Sequence, residues 1–462
     1  MELVPAVLWG TTVTPSTRCT GTFWRNPLSL RGGHVPGRSG PTRRLEYHAG
    51  SMPELLPFRG MRYADSDRLK ELVCPPYDVI SPAEQRLLHA RNPANAVHLE
   101  LSQSHEDRDE RNLEVADVWR RWVAEGVITQ DATESLYVYR QDFVSSDGRR
   151  CRVAGVIGAL RLGPYGESSG VLPHERTMPG PIEERLSLMK ALPVNISPIY
   201  SIYRGGGRLT PYLNDLENRP TAARFADEHG TLHRLWIIST PGECDMISEA
   251  LRPGPLVIAD GHHRYETALA YAQAVGGDGD HQSVMSFCVD ADDEDLVVFP
   301  YHRVLKTSVD FTEIRRRMSE RWPVEPIANG TGGAQALDLS SADHPFLMRS
   351  KGEAILVEVG DSTVVEQVGT RARAWRDLDV VALHEAVLPL VLPEGIDDLR
   401  FSKDPDEILR LVEDEGWTAG VLLRPLHPAQ VVEVARSGER MPQKASYFWP
   451  KALTGLVFRA LT

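Results

Sequence analysis

The chain has 462 residues and a formal net charge of −13 at pH 7, from 51 lysines and arginines against 64 aspartates and glutamates. This acidic balance disfavours broad contact with nucleic acid, which needs dense basic side chains, and the length exceeds one ordinary core. The five cysteines are far apart without a C-x-x-C pair, and no window supplies the roughly 18 uncharged apolar residues that a membrane span requires. We expect a two-domain cytoplasmic protein with reduced thiols and no membrane segment.

The first 52 residues differ in composition from the rest. They contain six arginines against two glutamates, with many Gly, Pro, Ser and Thr residues. Such a segment buries too little apolar surface to order itself, so we expect a disordered tail. A transit peptide is one interpretation. We favour a translation start at Met52, because the arginines do not follow an amphipathic helix.

Residues 53–307 alternate between strand and helix patterns, which predicts a mixed α/β domain. In CPPYDVISPAEQ, Ser81 and Pro82 predict a loop that enters a helix. Apolar periodicity predicts helices over 112–127 and 182–192. Strands are predicted over 135–144 and 151–162, joined by a turn at Asp147-Gly148, and over 195–203, 232–240, 255–259, 282–290 and 295–305.

Residues 308–462 predict a second α/β domain. The stretch 330–345 is expected to be a loop. Strands are predicted over 353–360, 417–425 and 455–461, and helices over 378–392 and 405–416. The predicted fold class is therefore α+β, in the form of a mixed α/β sheet domain followed by a second α/β domain.

The stretch VIADGHHRYETALAY places five chemically active residues where a strand becomes a helix: Asp260, Gly261, His262, His263 and Arg264. The first turn of a helix leaves backbone N–H groups unpaired, and with the helix dipole they form an anion site. Gly261 permits a positive φ and a close ligand, and the planar fork of Arg264 suits phosphate. His262 and His263 can donate hydrogen bonds or move protons near neutral pH.

Asp260 is open to three interpretations: a helix cap, a magnesium ligand, or a proton acceptor. A purely structural segment, with Asp260 as the cap and both histidines on the surface, is the alternative. If Arg264 binds phosphate from the first helical turn, few packing contacts depend on it, and its replacement should leave the unfolding temperature of the ligand-free protein almost unchanged.

Several segments occur in an order that resembles domain-of-unknown-function family 1015: CPPYDVI, HERT, NISPIY, IADGHHRYETAL, LHEAVL and MPQKASYFWPK. The resemblance extends from Pro57 to Leu461, and the family has no established activity. One departure is that Ala445-Ser446 stands where the family usually has Ser-Thr, which puts a role for the first hydroxyl in doubt.

The shorter pattern of a strand, Asp-Gly-His-x-Arg and a helix is similar to the phosphate-binding segment of the ParB and sulfiredoxin superfamily. Its members include nucleases, CTP hydrolases and free-serine kinases that use ADP or ATP. The resemblance implies a ParB/sulfiredoxin-like sheet domain over residues 53–307. It also implies that Gly261, His262, His263 and Arg264 contact nucleotide phosphates.

The stretch LPHERTMPGPIEERLSLMK is dense in ionisable groups around a Pro-Gly loop. We identify Glu175 as a candidate general base, with Arg185 or Lys190 reaching phosphate oxygens. A solvated loop followed by charges at a helix start is the alternative.

Near the end of the chain, MPQKASYFWPK places Lys444 beside aromatic residues that suit a nucleotide base and its phosphates. A packed aromatic cluster with lysine stems lying over it is an equal alternative. His384-Glu385 lacks the second histidine of H-E-x-x-H, so a partly buried histidine on a core helix is expected there.

These residues predict a nucleotide-dependent phosphotransferase that acts on a small hydroxyl-bearing metabolite, for which the resemblance implies free serine. The expected cofactors are ATP or ADP, with CTP as an alternative, and magnesium at Asp260. The catalytic candidates are Glu175, Asp260, His262 and His263, while Arg185, Arg264 and Lys444 join the nucleotide site. The alternative is a nucleotide-binding regulator without turnover; a phosphodiesterase or nuclease is disfavoured by the acidic charge. The partners are a nucleotide and a small molecule, and a homodimer is left open.

Overall fold

The computed structural model describes residues 52–145, 148–166, 169–177, 179–327 and 332–461. The predicted tail and Asp147 of the predicted turn lie outside the described residues. None of the helices in these ranges is long and apolar enough to cross a membrane. Cys74, Cys151, Cys244 and Cys288 are buried free thiols.

Within these ranges, nine strands form one mixed sheet in the order β6-β11-β8-β12-β5-β4-β10-β9, with β1 also paired to β5. The pairs β6–β11 and β8–β12 are parallel, and the other pairs are antiparallel. Its strands are β1 (Leu55–Leu56), β4 (Leu136–Val144), β5 (Arg150–Arg161), β6 (Val171–Pro173), β8 (Ile199–Tyr203), β9 (Ala223–Ala226), β10 (Leu232–Ile238), β11 (Leu256–Asp260) and β12 (Ser283–Asp290).

Both faces of this sheet are covered. Successive side chains of a strand point to opposite faces, so Tyr137 and Tyr139 join one hydrophobic core while Leu136 and Val138 join another. Helices in this half of the chain are α1 (Leu69–Leu72), α2 (Pro82–Arg91), α3 (Val97–Glu100), α4 (Arg108–Ala124), α5 (Pro179–Ala191), α6 (Thr210–Asp215), α7 (Pro241–Leu251) and α8 (His262–Val275).

A second sheet in the described part of the chain has six strands in the order β15-β17-β16-β19-β14-β18. They are β14 (His302–Lys306), β15 (Val324–Pro326), β16 (His344–Ser350), β17 (Glu353–Val359), β18 (Asp398–Ser402) and β19 (Ala419–Leu422). Its helices are α9 (Phe311–Ser319), α10 (Gly332–Leu339), α11 (Asp361–Val368), α12 (Arg373–Arg376), α13 (Asp379–Val381), α14 (Leu388–Val391), α15 (Pro405–Asp414) and α16 (Pro428–Arg436). A π-helical segment, Ala382–Val387, joins α13 to α14.

The last segment of the chain returns to the first half. Strand β20 (Ser446–Trp449) pairs with β13 (Val297–Pro300), and β21 (Arg459–Ala460) pairs with β7 (Val194–Asn195). Thr454 exchanges backbone hydrogen bonds with Cys74, and Phe458 with Met61 of β2 (Met61–Tyr63), which pairs with β3 (Ile128–Gln130). The division into domains 53–307 and 308–462 stays a prediction, but residues 446–460 clearly pair outside the second range.

The prediction of a mixed α/β fold is confirmed. The helix start at Ser81-Pro82 is also confirmed, because the Ser81 hydroxyl accepts a hydrogen bond from the Glu84 N–H at 3.2 Å. The ParB/sulfiredoxin-like character of the first domain stays a prediction.

Four element predictions are wrong. The single strand predicted over 195–203 is divided: Asn195 ends β7, which pairs with β21, and β8 begins at Ile199 in the large sheet. The expected loop 330–345 contains α10 and the start of β16, because Ala, Gln and Leu favour helix and Leu337 is buried in a core. The single strand 295–305 is two strands in different sheets; Pro300 has no N–H to continue a ladder. Of the predicted strand 455–461, only Arg459–Ala460 forms.

Candidate active site

Strand β11 ends at Asp260, and α8 begins two residues later. Gly261 is the N-cap of α8, with φ 89° in the left-handed region that favours glycine. A Cβ atom at this position would lie 2.9 Å from Nε of Arg264. Glycine is therefore required both by the backbone turn and by the guanidinium beside it, and the cap is not Asp260.

Asp260 is paired with two cations. Its Oδ2 accepts a hydrogen bond from Arg264 Nη2 at 2.6 Å, and its Oδ1 accepts one from Lys451 Nζ at 2.6 Å. Burial acts to raise the pKa of Asp260, but the charges of Lys451 and Arg264 outweigh it and lower that pKa. Arg264 also donates from Nη1 to the Ser197 hydroxyl at 3.1 Å and to the Pro198 carbonyl at 2.6 Å.

The sequence expectation for Arg264 is therefore wrong in one respect. Its side chain is only 11% exposed, and two of its nitrogens are bonded within the protein. Its replacement should affect folding as well as any ligand.

The HERT segment is fixed against the start of α8 by two histidines. Nδ1 of His174 donates to the Ile258 carbonyl at 2.6 Å, so its Nε2 accepts from the Ser446 hydroxyl at 3.1 Å. Burial, reinforced by the charge of His262, lowers the pKa of His174 to about 4. His174 is therefore neutral at physiological pH and links β11 to β20.

Glu175 lies beside His262. Nε2 of His262 accepts a hydrogen bond from the His174 N–H at 3.3 Å, which leaves its proton on Nδ1, 3.3 Å from Oε1 of Glu175. Burial acts to raise the pKa of Glu175, but the bond to His262 and nearby positive charges lower it to about 2. Glu175 is ionised and orients His262.

The CPPYDVI segment forms another side of the site. The guanidinium of Arg185 lies 3.5 Å from the ring centre of Tyr77, and that of Arg264 lies 6.0 Å from it. Asp78 is accessible to solvent. Its pKa is nevertheless raised, by desolvation first and then by the negative charge of Asp260, against the opposing charges of Arg264 and two lysines. The direction of this shift separates Asp78 from Asp260, whose pKa is lowered.

The MPQKASYFWPK segment contributes cations stacked on aromatic rings. Lys451 Nζ lies 4.4 Å from the ring centre of Tyr447, and Lys403 Nζ lies 4.2 Å from the same ring. Lys444 Nζ lies 5.3 Å from the ring centre of Tyr301, which packs edge-on against Tyr447. Lys451 is buried in the cluster, as the packed alternative foresaw, whereas Lys444 and the neighbouring Lys403 are exposed. Nucleotide binding by Lys444 stays a prediction.

The structure brings the predicted site residues into one region around the start of α8. Glu175 contacts His262, Asp260 contacts Arg264, and the pKa of Glu175 responds to the charge of Lys444. His263 is half-buried, and burial lowers its pKa. Arg185 stacks on Tyr77, which also lies close to Arg264. Its Nη1 donates to the Glu100 carbonyl at 3.1 Å.

Sequence reasoning gave too little weight to Asp78 and Lys451. Asp78 follows a Pro-Pro pair, a position typical of a turn residue, and Lys451 is one of two lysines beside the aromatic residues of MPQKASYFWPK. Membership in CPPYDVI and MPQKASYFWPK was the available signal. No local pattern could show that Lys451 would pair with Asp260, 191 positions earlier in the chain.

Magnesium at Asp260 does not fit the geometry, because both carboxylate oxygens already accept short hydrogen bonds from cations. Among the described residues, no group of three or more His, Cys, Asp or Glu side chains is arranged to hold a metal ion.

A family model described as "Protein of unknown function (DUF1015)" matches residues 55–381. The chain belongs to the DUF1015 family. A comparison with curated proteins gave no match. The match to DUF1015 covers CPPYDVI, HERT, NISPIY and IADGHHRYETAL, whereas LHEAVL and MPQKASYFWPK lie beyond it.

Solved structures resemble this DUF1015 protein only distantly. A free serine kinase mutant in complex with AMP is 14% identical, covering 64% of this chain and 87% of that chain with a TM-score of 0.33. SbnI with a C-terminal truncation, from Staphylococcus aureus, is 11% identical over 64% of this chain and 85% of that chain, with a TM-score of 0.34. A conserved hypothetical protein from Pyrococcus furiosus is 15% identical over 61% and 89%, with a TM-score of 0.31. Likeness at this level assigns neither an activity nor a ligand to the chain.

Proposed function

We propose that the residues around the start of α8 transfer a phosphoryl group from a nucleotide to the hydroxyl of a small metabolite. The observation that carries the proposal is the pairing of Arg264 and Lys451 with Asp260 at the start of α8, near a carboxylate, Asp78, whose pKa is raised and on which the charges of Arg264, Lys451 and Lys444 act. Phosphoryl transfer depends mainly on positioning and on neutralising charge, and this arrangement offers both.

The phosphates would lie against the first turn of α8. Its N–H groups lack intrahelical partners, and Gly261 allows a close approach. His263 belongs to this turn, and the charge of Lys444 acts on Glu175, which lies beside His262. Asp260 would hold Arg264 and Lys451 in place, since it is bonded to both.

Asp78 is our candidate for the proton acceptor. A general base works best when its pKa lies near the operating pH. The raised pKa of Asp78 moves it in that direction, whereas the pKa of about 2 makes Glu175 a weak base. In the reaction, the substrate oxygen forms a bond to phosphorus, the bond from phosphorus to the leaving phosphate oxygen breaks, and the hydroxyl proton moves to Asp78.

The aromatic side chains around Lys403 suit the nucleotide base. Tyr447 and Trp449 have nearly parallel rings, with centres 6.4 Å apart and planes at 19°, and Lys403 Nζ lies 5.4 Å from the Trp449 ring centre. A base stacked there would gain from flat apolar contact and a nearby cation. A magnesium ion would arrive on the nucleotide phosphates, since it keeps few protein ligands.

The test is a mass-spectrometric search for phosphorylated products with purified protein, magnesium and ATP, ADP or CTP, with pooled amino acids as acceptors and free serine first among them. Asp78→Asn is the matched variant, because it keeps the side-chain shape and removes the base. The proposal expects a phosphorylated product from the wild type and strong loss of it in Asp78→Asn. Absence of product with every donor, despite measured nucleotide binding, would overturn the enzymatic proposal.

One observation favours a regulator without turnover as a second candidate. Arg264 and Lys451 are both paired with Asp260 in the ligand-free protein, so an anion that recruits either cation must compete with Asp260. Lys451 follows β20, and its release would loosen the end of the chain. Tight nucleotide binding without product, together with increased proteolysis of the last segment, would support this second candidate.

A further inference from the structure

Arg303, at the start of β14, is a buried arginine without an acidic partner among the described residues. It is fully inaccessible to solvent, and its side-chain nitrogens donate to the His384 imidazole and to backbone carbonyls. Burial lowers its pKa to about 9, so it still carries its charge at neutral pH. A buried charge without a counter-charge costs folding free energy, which indicates that its position serves another purpose.

His384 of the LHEAVL segment fixes one side of the guanidinium. Nε of Arg303 donates to Nε2 of His384 at 3.0 Å, so that nitrogen is unprotonated. Burial, followed by the charge of Arg303, lowers the pKa of His384 to about 3, and the imidazole is therefore an acceptor throughout the physiological range. His384 lies in the π-helical segment, a rare geometry that is frequent at functional sites.

The other side of the guanidinium holds the segment that precedes β20. Nη2 of Arg303 donates to the Lys444 carbonyl at 3.1 Å and to the Gln443 carbonyl at 3.5 Å, while Nη1 donates to the Tyr301 carbonyl. Lys444 has φ 55°, a left-handed conformation that carries a free-energy cost for a residue with a side chain. The bonds from Arg303 offset this cost and fix where the lysine side chain leaves the backbone.

We propose that Arg303 and His384 are positioning residues that hold the Lys444 segment, residues 442–446, in its backbone conformation beside the candidate site. The consequence for nucleotide binding rests on the proposed function; the consequence for the segment itself does not. This assigns a role to LHEAVL, which lies in the second half of the chain and contributes no side chain to the cations around Asp260.

The test uses the full chain with His384→Leu, which removes the acceptor, and His384→Gln, whose amide oxygen can accept the same bond. His302→Leu is the matched control, because His302 is also buried on β14 but accepts from the Leu423 N–H at 3.2 Å, whereas the Nε of Arg303 donates to His384. Hydrogen–deuterium exchange of residues 442–446 is measured without ligand. The KM for ATP and kcat are then compared.

We expect about tenfold faster exchange in the Lys444 segment and about tenfold higher KM in His384→Leu, the effect of losing roughly 1.4 kcal/mol of preorganisation. A smaller change in kcat, restoration in His384→Gln, and no change of segment exchange in His302→Leu are also expected. If His384→Leu does not fold, Arg303→Lys replaces it, since one ammonium group cannot reproduce the planar fork.

Unchanged exchange in the Lys444 segment would overturn the inference whatever the kinetics show. Equal acceleration in His302→Leu would also overturn it, because the effect would then be general destabilisation. If the wild type binds no nucleotide but exchange responds as expected, the proposed function fails while the positioning role of Arg303 and His384 stands.

Discussion

Replacing Arg264 with alanine should lower the free energy of unfolding of the ligand-free protein by about 3 kcal/mol. The variant loses the 2.6 Å bond to Asp260 and leaves the Pro198 carbonyl and Ser197 hydroxyl without that donor. Removing one partner of a buried ion pair typically costs about 3–5 kcal/mol. We expect the lower end because Lys451 still neutralises Asp260.

Urea unfolding of the wild type and Arg264→Ala, followed by fluorescence, measures this difference. Arg208→Ala is the control, since Arg208 is exposed and surface replacements usually change stability by less than about 0.5 kcal/mol. Parallel transitions with equal slopes allow the midpoints to be compared directly. A midpoint for Arg264→Ala as close to the wild type as that of Arg208→Ala would refute the role assigned to the Asp260 ion pairs.

Three further predictions concern the same site around the start of α8. Asp78→Asn should reduce turnover by about 10²–10⁴-fold. It should also stabilise the ligand-free protein at pH 7, because the raised pKa of Asp78 means that folding disfavours its ionised form. Turnover assays and urea unfolding measure these two effects, and a destabilised variant would contradict the reasoning. The pKa of Glu175 is lowered to about 2, so the stability that its ionised form contributes is present above its unfolded pKa of about 4 and is lost as the pH falls toward about 2. The pKa of Asp260 is also lowered, so its contribution is lost in the same direction. An acid dependence of unfolding that is as steep in Glu175→Gln as in the wild type would count against this. Gly261→Ala should cost about 1–2 kcal/mol of stability and weaken ATP binding in calorimetric titration, since its Cβ would press on Arg264; wild-type affinity would show that phosphates lie elsewhere.

Local patterns were sufficient for much of the fold. The helix start at Ser81-Pro82 and the β4–β5 pair depend on caps and alternation that neighbouring residues specify. The turn from β11 into α8 at Gly261 was equally readable. Prediction failed where distant packing decides the outcome: Gly332–Leu339 is helical because Leu337 has a core to join, and 295–305 is divided because β13 pairs with a strand about 150 positions later.

The same distinction applies to the site. Asp260, Gly261 and Arg264 were visible because chemistry-bearing residues stand together in one turn. Their bonding was not visible, since the partners of Asp260 and Arg264 include Lys451 and Ser197 from other parts of the chain. Sequence alone therefore assigned Arg264 wholly to a ligand, whereas the protein itself uses part of its hydrogen-bonding capacity.

Two residues near the end of the chain contact site residues in its first half. The family model ends at residue 381, yet Lys451 neutralises Asp260 and Ser446 fixes His174 from beyond that point. Without Lys451, Asp260 would keep only Arg264 as a cationic partner and would lose a bond that lowers its pKa. Without Ser446, the HERT segment would lose its link to β20. Residues beyond position 381 therefore hold His174 and Asp260 in place, and under the proposed function any activity should require both halves of the chain.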